Sequence, residues 1–100
     1  MSSLRWTHEA ADDLAAIHQY IARDSPRYAQ LVVERIIQRV EGIPAFPEAG
    51  RVVPELNRRD IRELISGSYR IVYWLDRDAQ HILTIFRSSR LFPLTETELP

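Results

Sequence analysis

The hydrophobic period of this chain changes once, across the proline-bearing stretch GIPAFPEAGRVVPEL at residues 42–56, and that change restricts the fold more than any other feature. Before it, Ala10, Leu14, Ile17 and Ile21 recur at spacings of four, three and four, which lays one apolar stripe along a helix. Ala29, Val32, Val33, Ile36, Ile37 and Val40 give a second, wider stripe. Thr7 is placed to cap the first helix, with Glu9 in the first turn facing the positive helix end. That helix should stop near Arg23 or Asp24, because Ser25 as N-cap and Pro26 at the first helical position restart the pattern. Gly42 and Pro44 end the second helix. So short a link between the two predicts an antiparallel helical hairpin.

Beyond the proline segment the residues alternate as strands do. Ile61–Ile65, Tyr69–Leu75 and Gln80–Arg87 read as three strands joined by the polar turns Ser66-Gly67-Ser68 and Asp76-Arg77-Asp78-Ala79, an antiparallel meander. Leu4–Trp6 could add a short first strand. Helices segregated to one side of such a sheet make a two-layer α+β domain spanning residues 1–100. One sheet face takes the hairpin and the other stays partly open. The end of the chain, LFPLTETELP at residues 91–100, reads as a flexible tail.

With 45% hydrophobic and 27% charged residues, 100 residues suffice for one modest core. The absence of cysteine excludes disulfides, thiolate chemistry and cysteine-ligated metals. No apolar run is long enough to span a bilayer, and the first ten residues do not read as a signal peptide, so the cytoplasm is the expected location. All 13 basic residues are arginine. Lysine-based proton transfer is therefore closed to the chain, while planar recognition of carboxylate or phosphate stays open. The net charge of −1 hides an excess of arginine over acids in residues 51–90, too small to predict stable direct binding of nucleic acid by the chain alone. His8, His18 and His81 are scattered without metal-ligand spacing, so neither a metal nor another cofactor is expected. Asp12 and Asp13 read as solvated, and Ser88-Ser89 has neither a nearby histidine nor a glycine-rich elbow.

The run YRIVYW (Tyr69–Trp74) poses the functional question, because an arginine among β-branched and aromatic residues must be wet, paired or awaiting an anion. Alternation puts Arg70, Val72 and Trp74 on one face. If Leu75 pairs with Gln80, Arg70 lies opposite Ile85, and Arg87 shares its face. If Ser66-Gly67-Ser68 is a three-residue loop, Arg62 joins them; a two-residue loop turns it away. The conditional result is a trio, Arg62, Arg70 and Arg87, among Leu64, Val72, Trp74 and Ile85. Such a trio could hold phosphates or the carboxylates of a partner. The plainer reading is that these arginines pair with Glu55, Asp60 and Glu63 nearby.

The markers WTHEAADDL (Trp6–Leu14), IHQYIARDSP (Ile17–Pro26), PEAGRVVPEL (Pro47–Leu56), IREL (Ile61–Leu64), YRIVYW and ILTIFRSSR (Ile82–Arg90) come in an order that resembles the ParE branch of the RelE/ParE toxin superfamily, over nearly the whole chain. The resemblance implies a helical hairpin on an antiparallel sheet. It also implies the toxin of a type II toxin–antitoxin pair, one that poisons DNA gyrase without chemistry of its own and is neutralised by a ParD-like antitoxin. Binding of target or antitoxin would then fall to Arg62, Leu64, Arg70, Val72, Trp74, Ile85, Arg87 and Arg90. RelE-like members are instead ribosome-dependent mRNA endoribonucleases, and in that alternative Arg62, Arg70 and Arg87 would be the catalytic candidates. The resemblance to that branch is incomplete. Asp60 stands where a basic group is often found, Arg87 replaces a histidine or lysine, and Phe92 rather than tyrosine follows in the tail. A third possibility is a chain that has lost toxicity and persists as an antitoxin-binding module.

Overall fold

A computed structural model describes residues 3–100. The chain runs β1 (Ser3–Trp6), α1 (His8–Ala22), α2 (Pro26–Glu41), a 3-10 turn (Ile43–Ala45), β2 (Arg51–Val52), β3 (Ile61–Ser66), β4 (Tyr69–Asp76), β5 (Ala79–Arg87) and a last 3-10 turn (Glu96–Glu98). The five strands form one sheet in the order β1-β5-β4-β3-β2. Strands β2 to β5 pair antiparallel, and β1 lies parallel to β5 at the edge. The expected helical hairpin on an antiparallel meander is thus present, with β1 and the two-residue β2 extending it on either side.

Both helices start where the capping chemistry places them. Thr7 Oγ1 accepts from the Ala10 N–H at 3.1 Å and donates to the Ile82 carbonyl at 2.6 Å, so one hydroxyl starts α1 and ties it to β5. Ser25 Oγ accepts from the Tyr28 N–H, with Pro26 in the first turn of α2. From α2, Ala29, Val32, Ile36 and Val40 turn inward. Val32, Ile36 and Val40 join Tyr69, Ile71, Tyr73, Ile82 and Ile85 in a core that also takes Ala10 and the half-buried Leu14, Ile17 and Ile21 of α1.

The opposite sheet face is closed rather than open. A second apolar cluster of Val53, Ile61, Val72, Leu83 and Phe86 lies there, covered by Leu56 and Trp74 and by Phe92, Leu94 and Leu99. The last ten residues, expected to form a tail, cross this face. A capping box between Thr95 and Glu98 shapes the turn, and Arg58 Nη1 donates to the Pro100 carbonyl at 2.9 Å. A domain of this size has few other ways to shield the second face of a sheet.

Two details of register decide where the arginines point. The β3–β4 hairpin has a two-residue loop, Gly67-Ser68, with Ser66 opposite Tyr69 and Gly67 at φ +57°, a backbone region that suits glycine. Between β4 and β5 the pairing begins as expected, Leu75 opposite Gln80, and then slips. Tyr73 faces Ile82 but Val72 faces Thr84, so Leu83 is an extra residue in β5. Asp13 on α1 holds this bulge: its Oδ2 accepts from Thr84 Oγ1 at 2.6 Å and from the Ile85 N–H at 3.0 Å. Asp13 is therefore not a solvated acid.

Candidate functional site

Arg70 sits on β4 with 7% of its surface exposed. Its Nε donates to Glu63 Oε1 at 2.6 Å, while Nη1 and Nη2 form a two-pronged contact with the Glu55 carboxylate, both at 2.7 Å. Glu63 is fully buried and takes Arg51 Nε on its other oxygen. The guanidinium carbon lies 4.9 Å from the Phe86 ring centre and 6.0 Å from that of Phe92, both short enough for cation–π attraction. Two arginines and two glutamates thus form a charge-neutral cluster roofed by aromatic rings. The fork of Arg70 draws the Glu55 carboxyl down to about 2 and pushes the arginine itself further up. The paired reading of Arg70 is the observed one.

The loop before β3 is built around this cluster. Gly50 donates its N–H to Tyr73 Oη at 3.1 Å, and Tyr73 Oη donates to the Pro47 carbonyl at 2.7 Å. A Cβ at Gly50 would lie 2.6 Å from that oxygen and 2.8 Å from the Glu63 carbonyl, so only glycine allows the approach. Arg51 then reaches Glu63, Val53 drops into the second core, and Glu55 meets Arg70. The GRVVPEL segment is therefore the counterpart of YRIVYW. Burial raises the Tyr73 phenol above its ordinary value.

The expected trio does not form. The two-residue hairpin loop puts Arg62 opposite Tyr73, on the helix side of the sheet, where it donates to the Arg59, Glu48 and Gly50 carbonyls. The bulge at Leu83 moves Arg87 opposite Tyr69 and places Phe86, not Ile85, opposite Arg70. Leu64 and Ile85 pack into the helix-side core, so they are not on the face of Arg70 either. Val72 and Trp74 are on that face, but Val72 is buried beneath the loop and tail. Trp74 Nε1 donates to Asp60 Oδ2 at 3.2 Å, and its ring lies against that of His81. Arg87 and Arg90 are exposed at the end of β5, with no ion-pair partner among the described residues.

His81, the one histidine on the sheet, pairs with Trp74 in register and lies 3.3 Å from Asp76. That is four residues from Arg70 along β4, about 13 Å of strand. The titratable groups that touch Arg70 are the carboxylates of Glu55 and Glu63, and both are ion-paired with it rather than turned toward a substrate. Among the described residues, no group of three or more histidines and carboxylates is placed to hold a metal ion, and no helix is long and apolar enough to cross a membrane.

The geometry has known counterparts. A sequence profile described as the ParE toxin of the type II toxin–antitoxin system parDE matches residues 4–92. This chain belongs to the ParE toxin family. Toxin RelE2 of Caulobacter vibrioides is 34% identical over 92 residues, covering 91% of this chain and all of that protein. Y4kP of Sinorhizobium fredii is also 34% identical, over 90% of this chain and 92% of its own length. Among solved structures, a chain of the chromosomal ParDE system from P. aeruginosa superposes with a TM-score of 0.73 at 28% identity, over 87% of this chain and 96% of its own. The RelBE2 toxin–antitoxin complex from Mycobacterium tuberculosis matches at a TM-score of 0.55 and 23% identity, over 86% and 96%, a likeness of fold. For this ParE-family toxin, the motifs PEAGRVVPEL, IREL, YRIVYW and ILTIFRSSR supply the buried cluster, whereas WTHEAADDL and IHQYIARDSP lie in and beside α1, away from it.

Sequence reasoning missed two participants. Asp13 gave no local signal, because its partners lie 71 and 72 residues away. Glu55 was named only as one possible neighbour, although its place in a proline-stiffened loop opposite a β-strand arginine was a usable hint.

Proposed function

We propose that this ParE-family toxin acts by binding, poisoning DNA gyrase so that cleaved DNA accumulates, and that a ParD-like antitoxin neutralises it. The observation that supports this reading over ribonuclease chemistry is the closure of Arg70 by Glu55 and Glu63 within a neutral cluster. An arginine whose Nε and both Nη atoms already face carboxylates is poorly placed to stabilise a pentavalent phosphorane. Arg62 and Arg87 lie on the other side of the sheet, and the second cation of the cluster, Arg51, is itself ion-paired to Glu63.

The antitoxin's seat moves with the same observations. Val72 and Ile85 are buried, and Leu64 is half-buried, so they are not free to receive a partner. An apolar opening lies outside the helical hairpin, a groove of about 430 Å³ lined by Trp6, Leu14, Val33 and Ile37 among others. An amphipathic antitoxin segment laid there would use helix-in-groove recognition.

Gyrase-mediated supercoiling and cleavage, measured with the purified chain and with its co-encoded partner added, tests the reading. Double-strand breaks that the partner suppresses are the expected outcome. An inert chain at saturating concentration would refute gyrase poisoning. Ribosome-bound mRNA is the substrate to test beside it, since one relative bears the name RelE2. Cleavage of that mRNA, lost in Arg70→Ala, would put the ribonuclease reading in its place.

A further inference from the structure

Three arginines outside the buried cluster, Arg35, Arg87 and Arg90, gather at one end of the molecule. Two adjoining hollows open there, and Tyr69 forms part of the wall of both. The first, about 240 Å³, carries the exposed Tyr20 on one side and Arg87 and Arg90 on another, above Ile17 and Ile85. The second, about 120 Å³, carries the exposed Tyr28 and Arg35 beside the Ser66–Ser68 turn. Tyr20 is 62% and Tyr28 53% exposed, far more than rings held for packing need be. None of the three arginines has a carboxylate partner among the described residues. Asp13 also lines the first hollow, but its Oδ2 is already committed to Thr84 and Ile85.

Each hollow sets an exposed phenol ring beside guanidinium groups, two in the first and one in the second, over apolar residues in the first (Ile17, Ile85) and a mixed lining of Val32, Tyr69 and the Ser66–Ser68 turn in the second. A polymer that alternates flat apolar rings with single negative charges matches that arrangement. We infer that this end of the molecule is a contact site for single-stranded nucleic acid, with two successive bases against Tyr20 and Tyr28 and the phosphodiesters between and beside them on Arg35, Arg87 and Arg90. An acidic peptide with one apolar anchor would fill one hollow and leave the other unused, which is why the nucleic acid is favoured. The slight negative charge of the whole chain makes the contact weak and salt-sensitive, because three arginines act locally against an unfavourable background. This site does not depend on whether gyrase or the ribosome is the target.

Fluorescence anisotropy with labelled twelve-nucleotide oligo-dT and oligo-U, titrated with the purified full chain, tests it. Saturable binding is expected, with a Kd on the order of 10⁻⁵ to 10⁻⁴ M at low salt. Three phosphate contacts should make log K fall with log salt at a slope of about −2. Similar affinities for the two oligomers would mean stacking and backbone contact alone, and a preference for oligo-U would add the 2′-hydroxyl; both support the site. The double variant R87E/R90E should weaken binding at least tenfold, and Y20A/Y28A severalfold. R5E/R59E, with the same charge change at the far end of the sheet, should alter it less than twofold after correction to equal ionic strength. The altered side chains are exposed, and thermal melts would verify that the variants fold. Absence of saturable binding at 1 mM chain would overturn the site, as would equal losses in R87E/R90E and R5E/R59E. Tighter binding of an oligoglutamate peptide, lost in R87E/R90E, would reassign it to an acidic protein partner. A chain that binds the oligomers yet leaves gyrase untouched would retain this site while losing the gyrase reading.

Discussion

The two faces of the sheet are closed by different means. On one, regular helices bring Val32, Ile36 and Val40 onto Tyr69, Ile71 and Tyr73, and apolar burial is the dominant stabilising term. On the other, an irregular loop and the last ten residues cover Val72 and Phe86, and a cluster of four charges sits at the margin. The helix side tolerates loss of one contact by partial collapse of its neighbours. The charged side does not, because a guanidinium that loses its carboxylate is left desolvated. The free arginines sharpen the contrast: Arg70 is spent on internal order, whereas Arg87 and Arg90 are left at the surface.

If that contrast is right, Glu63→Ala is the most damaging single change. It leaves the Nε groups of Arg70 and Arg51 without their shared carboxylate beside a vacated buried site, although Glu55 still holds the Arg70 fork, and breaking such a buried pair costs about 3–5 kcal/mol. Urea denaturation should show this loss, and a Glu63→Ala chain as stable as the parent would mean that the cluster is loosely hydrated. Ile36→Ala, at a fully buried helix position, should cost about 3 kcal/mol in the same measurement. Phe92→Ala removes a half-buried ring from the tail and should cost about 1–2 kcal/mol. A Phe92→Ala loss equal to that of Ile36→Ala would erase the distinction, since the tail would then be as integral as a helix.

The helix side was legible because its signals are local. Thr7, Ser25 and Pro26 mark starts, the three-four spacing marks the buried stripe, and all lie within a few residues of what they determine. The three strands of the meander follow from alternation and Leu4–Trp6 was read as a further one, whereas the two-residue β2 lay in a segment read as loop; the pairing of Leu75 with Gln80 was read correctly. The candidate site was less legible because it depends on register. One residue more in a loop, or one bulged residue at Leu83, turns every later side chain over. Asp13 fixes that bulge from the other end of the chain, so no window around β5 contains the information. The tail misled for a similar reason: Phe92, Leu94 and Leu99 follow at spacings of two and five, which sustain neither a helical nor a strand period, and their role appears only once a bare sheet face needs cover.

The smallest predicted effect separates charge from packing on the second face. Glu55 is lowered to about 2 by the Arg70 fork, against an ordinary value near 4.5. A depressed carboxyl favours the folded state when ionised, so its contribution is complete above about pH 4.5 and disappears as pH falls through about 2. The Glu55 side chain is 41% exposed, so solvent screening reduces the contribution to about 1 kcal/mol. Glu55→Gln keeps the shape and removes the charge. The stability difference between parent and variant should therefore be about 1 kcal/mol at pH 7, shrink below pH 4.5 and approach zero near pH 2. Asp60, lowered by its contact with Arg58, titrates in both chains and cancels in the difference. Urea midpoints at pH 7, 4 and 2.5 suffice to measure it. A difference that stays constant across that range would assign the effect of Glu55 to packing and neutral hydrogen bonding, and the second face would then be held much as the first one is.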